Sequence, residues 1–291
     1  MFYEGAIIRP PSEADSLILQ ITVGCRHNAC TFCGAFKTKR FRIKSEQEIK
    51  EIISIAQVHY PDVEKIFLAD GDALTIETPE LIRILDQLYR SFKHLKRVGI
   101  YGGPKNIQEK SLEELRELKE HGLYIVYLGV ESGSAKILKD VRKGVTPEEM
   151  IVAGQKVMSS GLLLSCTVII GLGGKANSQE HAIETAKLIS KIDPHYLAAL
   201  TLILRREAPL RRAVEKGEFE MLSPFETLKE IKLMVENLQV TDCVFRCNHA
   251  SNYLPLKATL PQEGPMLISL LDKVIKEKQT GWLRPESWRA L

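Results

Sequence analysis

The sequence predicts an α/β protein: a partial (β/α)6 barrel followed by a small, mainly helical C-terminal extension. Three observations predict it. Short apolar runs alternate with amphipathic stretches from residue 16 to about 204, and strand, helix, strand in repetition implies parallel pairing through right-handed crossovers. Several apolar runs, YIVYLGV and TVIIG among them, are nearly continuous, as strands covered on both faces must be. Residues with chemistry to offer fall directly after the strands, where parallel sheets bind their ligands. A doubly wound sheet is the second choice of topology.

The elements follow in order. Strands are expected at 17–23, 65–69, 97–101, 124–130, 163–170 and 196–204. Helices are expected between them, at 45–56, 79–93, 111–121, 146–159 and 178–192, with a sixth at 224–238. Their starts are signalled locally: Ser111-Leu112-Glu113-Glu114 reads as a capping box, and Thr146-Pro147-Glu148-Glu149 combines a cap, a proline at the first helical position and early acids. After the first strand comes GCRHNACTFCG, after the second Asp70-Gly71-Asp72, after the fourth Glu131-Ser132-Gly133-Ser134, and after the fifth Gly171-Leu172-Gly173-Gly174. The organisation expected is a barrel over 1–204 and an extension over 205–291 that covers the barrel mouth. No fixed-period repeat and no low-complexity segment interrupts it.

Composition bounds the function. With 44% hydrophobic and 26% charged residues over 291 positions, the chain reads as an ordinary globular protein. A net charge of +3 gives no global field of the kind that marks nucleic-acid binding. The first residues lack the apolar core of a signal peptide, and the longest apolar stretch, 162–172, is too short to span a bilayer. A cytoplasmic protein with no membrane partner is expected, and in that reducing setting clustered cysteines favour a metal over disulfides.

Cys25, Cys30 and Cys33 lie within nine positions, as C-x4-C-x2-C, while Cys166, Cys243 and Cys247 are scattered. A structural zinc site needs a fourth ligand, for which His27 is the near candidate. A [4Fe–4S] cube that only carries electrons also takes four thiolates. With three, one iron stays open to another ligand.

Here the sequence resembles the radical S-adenosylmethionine (SAM) superfamily, over residues 16–204, in the branch holding oxygen-independent coproporphyrinogen oxidases and methylthiotransferases. The resemblance implies a TIM-like partial barrel, a [4Fe–4S] cluster on Cys25, Cys30 and Cys33, and SAM on the open iron. Reduction would cleave SAM to a 5′-deoxyadenosyl radical that takes hydrogen from a substrate, here expected to be a small molecule. It also implies SAM contacts: Phe32 near the adenine, Asp70, Gly71 and Asp72 at the methionine ammonium, Glu131 and Ser132 on the fourth strand, Lys143 at the carboxylate, and Gly171 beneath the adenine. Two departures stand out: the commonest family spacing is C-x3-C-x2-C, and Lys143 occupies a position where arginine, with its bidentate fork, is usual. Without a second cluster or flavin motif, an external one-electron donor such as flavodoxin or ferredoxin is expected.

The basic stretch 37–44 offers a place for nucleic acid or an acidic substrate, or a solvated loop. No RNA-binding module follows it, so a tRNA-modifying role stands behind a small-molecule one. In the extension, VFRCNHASNYLPLKATLP (244–261) fits neither common period and reads as a polar loop. His249 and Tyr253 are its candidates for proton transfer. A rival reading keeps a cluster or zinc ion in a non-catalytic redox sensor or scaffold.

Overall fold

The structure, a computed structural model, describes residues 3–278 and 280–290. Its main sheet has eight strands whose order follows the chain, and a two-stranded ribbon stands apart from it. The contacts divide the chain into two compact units, described in turn.

The first unit holds the chain up to Asn28, Ala35–Leu128 and Ala153–Leu164. β1 (Leu17–Gln20) leads into β2 (Thr22–Val23), which pairs antiparallel with β3 (Arg42–Ile43). The expected strand at 17–23 is therefore two strands, and the basic stretch contributes the ribbon's second edge. α1 (Glu46–His59), β4 (Lys65–Ala69), α2 (Thr78–Ser91), β5 (Arg97–Tyr101), α3 (Pro104–Glu109), α4 (Leu112–Glu120) and β6 (Leu123–Glu131) follow. β1 pairs with β4, β4 with β5, and β5 with β6, all parallel. Ile66, Phe67 and Leu68 are fully buried, and Phe67 meets the rings of Tyr101 and Tyr127 edge-on at 4.8 and 5.6 Å. Capping boxes start α1 at Ser45 and α4 at Ser111, each satisfying two otherwise unpaired backbone groups.

The second unit holds Ala29–Gly34, Gly129–Val152 and Ser165–Leu291. α5 (Ala135–Asp140) follows the fourth-strand turn, and α6 (Pro147–Ser160) starts from the Thr146–Glu149 capping box. β7 (Leu163–Ile170), α7 (Ser178–Ile192) and β8 (Tyr196–Thr201) give the next repeat. α8 (Leu210–Glu215), α9 (Pro224–Asn237), β9 (Cys243–Cys247), β10 (Leu256–Leu260) and α10 (Gly264–Lys276) complete the chain. β8 pairs parallel with both β7 and β9, and β10 closes the sheet antiparallel to β9.

One expectation holds and one changes. Strand order that never reverses favours the barrel-like topology over the doubly wound one, which needs a switch point. The stretch 244–261 is a strand at each end instead of a polar loop, so the mainly helical C-terminal extension also adds two strands to the main sheet. Phe245, Cys247, Leu256 and Ala258 point inward and Arg246, Lys257 and Thr259 outward, an alternation of only five residues on each side of a polar turn and so too short to stand out.

Candidate functional site

In the first unit the end of β4 braces the entry to the cysteine loop. Asp70 is fully buried, and its Oδ2 accepts from the Gly24 N–H at 3.0 Å, from Lys39 Nζ at 2.7 Å and from Gln20 Nε2 at 3.2 Å. Gly24 has φ +79°, a conformation that glycine adopts without the clash a Cβ brings. Asp70 Oδ1, also buried, has no hydrogen-bond partner. Gly71 is a close-approach position: an added Cβ would stand 2.6 Å from the Phe36 ring and 3.1 Å from Cys25 Cβ. Asp72, almost buried, accepts from the Asn106 amide, and the Gly103 backbone crowds it so closely that a Cβ there would lie 2.8 Å from its Oδ1.

The second unit carries the rest of the loop. The Thr31 N–H donates to the Val141 carbonyl at 2.9 Å, and the Thr31 carbonyl accepts from the Leu210 N–H at 2.8 Å. Phe32 packs on Ile137, Val141, Leu172 and Leu202. Cys30 and Cys33 are half-buried, as Cys25 is in the first unit. Glu131 has φ +66°, and its carboxylate pairs with Lys143 at 2.9 Å, both side chains only about one-eighth exposed. Ser132 is fully buried, its hydroxyl accepting from the Ser134 N–H. Gly171, at φ +85°, donates its N–H to Glu230 at 2.6 Å.

A model of the radical SAM superfamily matches residues 19–189. The chain belongs to the radical SAM superfamily.

An uncharacterised methyltransferase of Pyrococcus horikoshii is 28% identical to this radical SAM protein over 184 residues, which cover 62% of this chain and 38% of that protein. The heme chaperone HemW of Bacillus subtilis is 23% identical over 178 residues, covering 60% and 46%. A tRNA-2-methylthio-N(6)-dimethylallyladenosine synthase of a Thermoanaerobacter species is 27% identical over 212 residues, covering 68% and 43%. The chain thus spans less than half the length of each of these relatives. Among solved structures, methylornithine synthase superposes with a TM-score of 0.56 at 15% identity, covering 88% of this chain and 68% of that one. The methyltransferase TsrM of Kitasatospora setae, solved with cobalamin and a [4Fe–4S] cluster bound, gives 0.55 at 15%, covering 69% and 39%. These likenesses establish the fold, an α/β partial barrel.

The family's cofactors are a [4Fe–4S] cluster and SAM. Local chemistry in this radical SAM protein fits both. Three half-buried thiols suit iron, which takes cysteine as thiolate, although among the described residues no three His, Cys, Asp or Glu side chains close on a single ion. The orphaned Asp70 Oδ1 is a buried acceptor that wants a donor such as an ammonium, since a buried acceptor left bare costs about 1–3 kcal/mol.

His249 and Tyr253 have local partners. His249 Nδ1 lies 2.9 Å from Ser251 Oγ and accepts from the Ser251 N–H, and burial followed by the Arg284 charge holds the imidazole below its ordinary range. Tyr253 donates to Glu286 at 2.7 Å under the Arg289 guanidinium, 4.1 Å from its ring centre, and burial first pushes its phenol up to about 12. A hydroxyl so held is a poor proton shuttle near neutrality. Cys166, Cys243 and Cys247 are buried, and burial first pushes the last two up to about 12, which makes them inert thiols.

Sequence reasoning missed Glu230 and His181, and it took Asn252 as part of a polar segment offering hydrogen bonds without foreseeing its partners. Each had a signal: Glu230 is an acid on the inward face of α9 between Thr227 and Met234, His181 sits among the buried positions of α7, and Asn252 stands between strands with its amide free for capping. Asn252 accepts from the Thr201 N–H and hydroxyl at 2.9 Å and donates to the Ala199 carbonyl. Among the described residues no helix is long and apolar enough to cross a membrane.

Proposed function

We propose that this chain is a cytoplasmic radical SAM enzyme that abstracts hydrogen from a small molecule, with its cluster on Cys25, Cys30 and Cys33 and its electron from an external donor such as flavodoxin or ferredoxin. The observation that carries the reading is the braced loop entry: a buried carboxylate on the Gly24 N–H, a glycine that lets Cys25 approach the end of β4, and one acceptor oxygen left over. Cys25, Cys30 and Cys33 would hold the cluster, and with SAM bound it would supply hydrogen abstraction from the substrate.

The chain's own residues position and shield. Asp70 Oδ2 fixes the loop, while Oδ1 is offered to the SAM ammonium. In the first unit Gly71 and Asp72 follow Asp70, both offered to the same end of SAM. In the second unit Phe32, packed on Leu172 and its apolar cluster, is offered to the adenine. Glu131 and Lys143 neutralise each other, so Lys143 meets the SAM carboxylate only by sharing its charge. Ser132, buried, serves the turn.

A tRNA-modifying role has support from the methylthio-tRNA synthase relatives, while the basic stretch argues for a small molecule. Lys39 is spent on Asp70, Arg42 on Glu4 and Glu48, and the buried Lys44 on Glu4. Lys37, bonded to the Asn28 carbonyl, and the exposed Arg40 keep their charge, so two of the five cations remain for phosphates and only weak tRNA retention across a salt titration is expected.

The test is anaerobic reconstitution. About four irons per chain are expected, with reductant-dependent 5′-deoxyadenosine from SAM. Alanine at Cys25, Cys30 or Cys33 abolishes both. A protein that binds zinc alone, or a triple variant that still makes the nucleoside, overturns the reading.

A further inference from the structure

The second unit contains a buried charge that the reading above does not use. Glu230 of α9 has no exposed side-chain surface, and three donors converge on it: the Gly171 N–H at 2.6 Å, His181 Nδ1 at 2.9 Å and the Ser178 hydroxyl. His181 of α7, equally buried, turns its Nε2 toward the Glu131 carbonyl at 3.3 Å. One carboxylate thereby holds the turn after β7 directly and contacts the His181 ring, whose other nitrogen faces the carbonyl at the turn after β6.

Both turns need holding. Gly171 and Glu131 are in the left-handed region, at φ +85° and +66°. Such a conformation disfavours the non-glycine residue, and it persists where the surroundings over-determine it. A buried acid is costly unless every oxygen is engaged, and here both are. A leucine in this place would fill the space without the charge, yet leave the Gly171 N–H and the Ser178 hydroxyl bare.

We infer that Glu230, acting through His181, is a positioning residue that sets the Glu131 and Gly171 turns for SAM. This rests on the assignment of those turns to SAM. Glu230 itself touches neither substrate nor cofactor; it acts on the Gly171 N–H directly and on the Glu131 backbone through the imidazole.

The test is equilibrium dialysis of SAM with reconstituted protein, repeated with S-adenosylhomocysteine on cluster-free protein, for wild type, Glu230→Gln, His181→Phe and the exposed-face control Glu236→Ala. SAM affinity is expected to fall about tenfold in Glu230→Gln and in His181→Phe, with Glu236→Ala unchanged. KM for SAM rises in parallel, while kcat at saturating SAM stays near wild type. Glu230→Gln is nearly isosteric; should it fail to fold, His181→Phe decides alone, since it leaves the Glu230 bond to Gly171 in place. A wild type that binds SAM, with folded variants that bind it equally well, overturns the inference while leaving the enzyme assignment intact. A wild type that binds no SAM overturns the assignment of the turns, and the inference with it.

Discussion

Asp70 shows how a single side chain can be both brace and candidate ligand. Its pairing with Lys39 is buried on both sides, at 0% and 7% exposure. Removing one partner of such a pair leaves an uncompensated charge, so Asp70→Ala is expected to cost about 3–5 kcal/mol in urea denaturation. Gly71→Ala tests the close approach separately. A methyl group 2.6 Å from the Phe36 ring forces that ring or Cys25 to move, and about 1–3 kcal/mol of destabilisation is expected, with lower iron content after reconstitution. That Asp70-Gly71-Asp72 follows directly after a strand was legible in the sequence, and β4 ends at Ala69. That the carboxylate faces Gly24 and Lys39 was not, because both partners come from other segments of the chain.

At the scale of elements, helix starts were the most legible feature. The boxes at Ser45, Ser111 and Thr146 are local hydrogen-bonding patterns, and a box at Ser223 starts α9 in the same way. Ser223→Ala is expected to lower stability by about 1 kcal/mol in thermal unfolding. The short helices α3, α5 and α8 escaped notice, since six residues give too little periodicity to read. β9 and β10 escaped because each alternates over only five residues, with a polar turn between them. Between them Asn252 caps the end of β8. Asn252→Ala strips three hydrogen bonds from buried groups, and a loss of about 1–3 kcal/mol per bare group is expected in denaturant melts.

Over the whole molecule, acid is expected to weaken the fold. Burial first holds His249 and His195 below the ordinary 6.5, so the unfolded chain binds their protons more readily than the folded one. Stability is therefore lost as pH falls below about 6.5. The Arg42 hydrogen bonds pull Glu48 down to about 2, so its contribution is present above the ordinary 4.5 and fades between 4.5 and about 2. That pair is exposed and adds little. The unfolding midpoint should accordingly drop between about pH 7.5 and pH 5.5, and the drop should shrink in His249→Gln combined with His195→Gln.

The sequence by itself determined the alternation of strands and helices, the parallel sheet, the helix caps and the three-cysteine loop, since each is written in neighbouring residues: periodicity, hydrogen-bonding caps, thiol spacing. The tertiary structure alone decided that the sheet never reverses its order, that the last segment adds strands to it, and that Asp70, Lys39, Glu230 and His181 find their partners. Those facts depend on residues dozens of positions apart becoming buried together. A charge in a sequence does not say which distant charge or backbone group will make its burial tolerable, and the fold supplies that answer.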